Sequence, residues 1–115
     1  MFVGYVIVAV ILAAILVISG RGKLVKDERI VASISRANVP LSWYPPLAAC
    51  EIAGAVGLVV GIWWPPLGIA AAIGVVLYFL GAVIAHARAG DIKGITAPLS
   101  LLALAAVALV LRILA

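Results

Sequence analysis

Four unbroken apolar runs dictate what this chain can fold into: Phe2 to Ser19, Leu47 to Trp64, Leu67 to His86 and Ile95 to Leu111, of 18, 18, 20 and 17 residues. About 20 apolar residues in a helix cross the ~30 Å hydrocarbon layer of a membrane, so each run has the length of a span with little tilt. Strands of a membrane barrel alternate apolar and polar residues, and these runs do not. A soluble domain is excluded because 68% of the 115 residues are hydrophobic and 10% charged, and a domain of this size leaves too much surface in water to keep two thirds of its residues dry. The expected fold is all-α: an integral membrane four-helix bundle, with residues 1–115 forming a single transmembrane domain. Phe2 to Ser19 has no basic start, and Ser19-Gly20-Arg21 leads into basic residues rather than a small-residue cleavage site, so it reads as a retained first span.

The connections carry the charge. Gly20 to Pro46 contains Arg21, Lys23, Lys26, Arg29 and Arg36, and Ala87 to Gly94 contains Arg88 and Lys93, whereas the opposite side holds only Arg112. This distribution explains the net charge of +4 as an orientation signal and a contact with anionic lipid headgroups, and no nucleic-acid partner is expected. The positive-inside rule places the two basic connections in the cytoplasm and both termini outside, in a cell inner membrane crossed four times. Trp63-Trp64-Pro65-Pro66 forms the tight turn between spans two and three, with two indoles at headgroup level.

In the long first connection, Ile30, Val31 and Ile34 recur at helical spacing, which predicts a short amphipathic helix along the membrane surface. Asp27 and Glu28 suit its start through the helix dipole, and it ends before Asn38-Val39-Pro40. Trp43 and Tyr44, followed by Pro45 and Pro46, mark re-entry at the interface. Helices in lipid associate through close packing, so Ala49, Ala53, Gly57 and Gly61 in span two, with Gly74, Gly81 and Ala85 in span three, are expected to pack together within the bundle or to form a homodimer seam.

Glu51 is the only acidic residue inside a span, and a carboxylate there is costly enough to face the bundle interior with a partner. The antiparallel topology brings it to the depth of His86, the only histidine. Ser19, Lys23, Arg88, Asp91 and Thr96 converge on the same end, and Tyr78 lies two turns deeper than His86 on roughly the same face. Almost nothing comparable is expected at the other end. An acid and an imidazole so placed suit proton exchange near neutral pH, with Glu51, His86 and Tyr78 as catalytic candidates. Lys23, Arg88, Asp91, Trp43 and Tyr44 are the candidates for binding a lipophilic small molecule, with Tyr78, Trp43 and Tyr44 lining or gating the entrance. The same residues also suit an ion-paired network that fixes helix register. A metal site is not expected: Cys50, Glu51 and His86 are too few ligands, and positions 50 and 51 diverge by about 100° on a helix. No polar stripe suits a channel, and the first span lacks the carboxylate that small dimeric drug exporters carry there.

Ser19-Gly20-Arg21-Gly22-Lys23-Leu24, Asn38-Val39-Pro40, Glu51-Ile52-Ala53-Gly54-Ala55-Val56-Gly57-Leu58 and Ala85-His86-Ala87-Arg88-Ala89-Gly90-Asp91 together resemble the DoxX-like family of small four-helix bacterial membrane proteins. The resemblance implies membrane subunits linked to quinone-dependent redox chemistry, with a quinone as a possible ligand and no other cofactor evident. Lys23, Glu51, His86, Arg88 and Asp91 are its family-like positions. Two further functions stay open: an acid–base isomerase or hydrolase of an epoxide-like substrate with Glu51 as base or nucleophile, and a non-catalytic scaffold subunit of a larger membrane complex.

Overall fold

A computed structural model describes all 115 residues and contains only helices and their connections. The long helices are α1 (Phe2–Leu24), α3 (Tyr44–Val60), α4 (Pro65–Arg88) and α5 (Thr96–Leu114), with a nine-residue α2 (Glu28–Arg36) between the first two. Short 3-10 turns, Leu41–Trp43 and Lys93–Ile95, lead into α3 and α5. Four segments are long and apolar enough to cross a membrane.

The helices reach beyond the apolar runs because polarity does not end a helix at a membrane surface. α1 continues through Ser19 to Leu24, with Arg21 and Lys23 in its last turn, where cations meet the unpaired carbonyls of the helix end. Proline pairs open both α3 and α4 from within their first turns, where a missing amide leaves no bond unmade. α3 therefore starts at Tyr44 rather than Leu47, and it stops at Val60, so that the turn to α4 is Gly61 to Trp64. The expected surface helix forms as α2, and Asp27 serves as its N-cap by accepting a hydrogen bond from the Arg29 amide at 3.0 Å. It ends at Arg36, just before Asn38 turns the chain at a positive φ of 60°.

Around the bundle α1 touches α3 and α5, and α4 touches the same two, so the diagonal pairs α1–α4 and α3–α5 scarcely meet. The core is rich in alanine: Ala9, Ala13, Ala55, Ala72, Ala105 and Ala108 are buried beside Leu12, Leu16, Leu58, Val75 and Phe79. Small side chains let helix backbones approach where lipid offers no hydrophobic drive for association. Backbones also come close where α3 hands over to α4: a Cβ added to Gly61, the residue after α3, would lie 2.2 Å from the Gly68 Cα. Only part of the expected small-residue face is used there. Gly57 and Gly61 are buried, but Ala49 and Ala53 are exposed, and a Cβ on Gly74 or Gly81 would meet nothing within 4 Å. A repeat of four residues drifts around a helix with 3.6 residues per turn, so the stripe leaves the contact after two turns.

Candidate functional site

The functional candidates gather at the end where α1 finishes, α3 begins, α4 finishes and α5 begins. On α1, Ser19 and Lys23 are four residues apart and share a face, and the Lys23 Nζ donates to the Ser19 Oγ at 2.9 Å. Gly20, on the adjoining face, lets α1 lie against Ala48 and Ile52 of α3. That approach carries the Lys23 ammonium onto Oε1 of Glu51, and the two form a buried ion pair. Tyr78 of α4 donates its hydroxyl to the same oxygen at 3.0 Å. Glu51 is 2% exposed and Lys23 7%, so the pair is removed from water and its strength rests on these few hydrogen bonds. The second carboxylate oxygen, Oε2, is buried and has no partner in the protein.

A second polar group lies one helix turn from the end of α4. Gly90 takes a φ of +75° after the helix, and the Asp91 amide donates back to the His86 carbonyl at 2.9 Å, closing a glycine-terminated cap. The cap folds Asp91 back so that its Oδ2 lies 2.8 Å from the His86 Nδ1, while its Oδ1 accepts from the Gly94 amide at 3.3 Å. Arg36, at the end of α2, adds its Nε at 3.5 Å from Oδ2. The hydrogen bond from His86 holds the Asp91 carboxyl below the usual carboxylate range, aided by the Gly94 amide and the Arg36 charge and opposed by partial burial. An ionised carboxylate only accepts, so the proton of a neutral His86 sits on Nδ1 and Nε2 is left as a lone-pair acceptor.

Between these two groups lies a cavity of about 560 Å³. Lys23, Glu51, Tyr78 and His86 contribute its polar wall, α5 contributes Pro98 and Leu101, and α2 covers it with Ile30, Ser33 and Ile34. Most of the remaining lining is apolar. Ile30 is seated directly on Gly22 of α1, where an added Cβ would lie 2.0 Å from its Cδ1, so a residue without a side chain allows α2 to lie flat on the bundle.

Five of the eight residues singled out in the sequence line this cavity: Lys23, Trp43, Glu51, Tyr78 and His86. Asp91 stands behind His86. Arg88 is exposed and belongs to an adjoining groove with Asn38, Pro40 and Trp43. Tyr44 is 1% exposed and its hydroxyl has no partner, so it is a packed residue in the first turn of α3 rather than a gate. The expected direct exchange between Glu51 and His86 is replaced by two separate pairings, Glu51 with Lys23 and Tyr78, and His86 with Asp91. Their common depth was legible from topology, but partner choice depends on helix rotation. Sequence reasoning missed Arg36 behind Asp91 and the cavity-lining Arg29 and Ser33. It also missed a polar pair at the far end: Arg112 is buried against the Tyr5 ring, 5.3 Å from its centroid. The signal for that pair was available, since antiparallel packing brings the start of span one and the end of span four to one face.

The fold and this one-ended polar network define a small multi-pass helical membrane protein. The profile of the DoxX-like family matches residues 7–108, and the chain belongs to that family. Comparison with curated proteins and with solved structures returns no match.

Proposed function

We propose that the cavity binds a lipophilic small molecule by a neutral, hydroxyl- or carbonyl-bearing head, and that a quinone or hydroquinone is the ligand class. The observation that carries this reading is that Glu51, which lines the cavity, keeps a buried carboxylate oxygen, Oε2, with no partner in the protein. A buried acceptor left unsatisfied costs about 1–3 kcal/mol, and more when charged, which a ligand hydroxyl would recover. Lys23 has three N–H donors, two of which go to Ser19 and Glu51, so one remains for a ligand oxygen. Because Lys23 and Glu51 already neutralise one another, the site favours a neutral head over a fatty-acid carboxylate, which would be placed beside Glu51. The apolar walls suit a ring and the beginning of a tail.

In this reading His86, held by Asp91, presents Nε2 as the group that takes or returns a proton, while Tyr78 keeps Glu51 oriented. The seven basic residues of the two connections orient the cavity toward the cytoplasmic leaflet of an inner membrane, with both termini outside. Purified protein in mild detergent tests the proposal through mass spectrometry of co-purifying lipophiles and titration with a short-chain hydroquinone. Glu51→Gln is expected to weaken hydroquinone binding by about 10- to 100-fold, the equivalent of one charged hydrogen bond. Equal affinity in wild type and Glu51→Gln would overturn it.

A further inference from the structure

The end of the bundle opposite the cavity holds a cation with no acidic side chain beside it. Arg112, in the last turn of α5, is 6% exposed, and its Nε is buried without a hydrogen-bond partner. The ion pairs of the protein are Lys23–Glu51, Arg36–Asp91 and His86–Asp91, so no acidic side chain lies within 4 Å of Arg112. All four acidic side chains, Asp27, Glu28, Glu51 and Asp91, lie in or beside the cavity end. What holds the guanidinium is the face of Tyr5, whose hydroxyl is itself anchored on the Leu58 carbonyl at 2.7 Å. A ring face and helix-end carbonyls stabilise a cation only modestly, which falls short of the cost of taking an ion out of water.

The depth of this arginine identifies what can complete it. Tyr5 is three residues into α1 from Phe2 and Arg112 two residues from the end of α5, which at 1.5 Å per residue places both within about 5 Å of the helix ends. At the same end, Trp63 and Trp64 are 77% and 57% exposed, and paired exposed indoles mark the headgroup layer. We propose that Arg112, braced by Tyr5, is a seat for a phosphate oxygen, supplied by the headgroup of a membrane phospholipid. A planar guanidinium held against a ring presents its N–H groups in the fork that phosphate accepts. This site is separate from the cavity and does not depend on its ligand.

The test is thermal unfolding of the delipidated protein in detergent with phosphatidylglycerol, diacylglycerol or sodium phosphate added. Phosphatidylglycerol is expected to raise Tm in wild type and in Glu51→Gln, and diacylglycerol, which lacks the phosphate, is not. The increase is lost in Arg112→Gln. Tyr5→Phe lowers the starting Tm through loss of the bond to Leu58 but retains the increase, which separates the seat from general stability. Sodium phosphate alone producing an Arg112-dependent rise would assign the same seat to free phosphate. Should Arg112→Gln fail to fold, Arg112→Lys keeps the charge without the fork, and its increase is expected to be smaller than that of wild type. An equal response of wild type to diacylglycerol and phosphatidylglycerol would overturn the proposal, as would an undiminished response of either Arg112 variant.

Discussion

Lys23→Met leaves Glu51 buried with one neutral donor, the Tyr78 hydroxyl, and removes the only cation within ion-pair distance of it. Breaking one side of a buried pair costs about 3–5 kcal/mol, because the remaining charge stays out of water without compensation. Glu51→Gln does the converse, leaving the Lys23 ammonium at 7% exposure with only neutral acceptors, the Ser19 hydroxyl and the new amide oxygen, and a loss of about the same size is expected. The double variant carries no charge at this position, keeps an amide for Tyr78 to bond, and fills the Lys23 volume with an apolar chain. It should therefore cost no more than either single variant, giving an interaction energy of about 3 kcal/mol, the upper end for residues in direct contact. Unfolding of the four proteins by titration of dodecyl sulfate into mixed micelles, followed by circular dichroism, measures all the terms of this cycle. Single-variant losses that add to the double-variant loss within about 0.5 kcal/mol would refute the reasoning. The pair would then be a contact between groups already solvated through the cavity.

Four further outcomes follow from the packing and the loop. Gly61→Ala drives a Cβ into the Gly68 backbone, which cannot move aside as a side chain would, and should cost about 1–3 kcal/mol or more in the same assay; Gly74→Ala meets only open space and should gain about 0.5–1 kcal/mol from helix propensity. Gly94→Ala places a Cβ 2.0 Å from the Asp91 Oδ2 and 2.6 Å from the His86 Nδ1, so the imidazole nitrogen signals in NMR should lose the signature of a carboxylate-bonded Nδ1–H, although neither partner is changed. Because the folded carboxyl of Asp91 is held low, its contribution is present above the ordinary value of about 3.9 and is lost as pH falls through the depressed one. Protection of the Gly94 amide from hydrogen exchange should thus persist at pH 5 and fade only below about pH 4, and a midpoint above that would contradict the assignment.

The cavity end shows how differently the parts of a site are written into a chain. Glu51 and His86 were recognisable because a charge in an apolar run has few acceptable positions, and helix direction fixes depth. Lys23 and Asp91 were recognisable as groups near that depth. What could not be read was who bonds to whom. His86 turns to Asp91 because Gly90 reverses the chain four residues on, and Glu51 turns to Lys23 because α1 stays helical through Gly20 and Gly22. One residue inserted into α1 ahead of Lys23 would rotate it by about 100° and remove the pair.

Length and polarity by themselves determined four spans, their alternation, the surface helix between the first two and the end at which the charges collect. These are one-dimensional properties: the thickness of the hydrocarbon layer and the cost of leaving backbone groups unpaired in it leave a run of apolar residues little choice. The tertiary structure alone decided which faces meet. It placed Gly61 against Gly68 while leaving Gly74 facing outward, buried Tyr44, and opened a cavity beneath α2. In lipid every helix face is apolar, so hydropathy does not say which one turns inward; close packing and a few buried polar contacts choose it, and both exist only once the helices have come together.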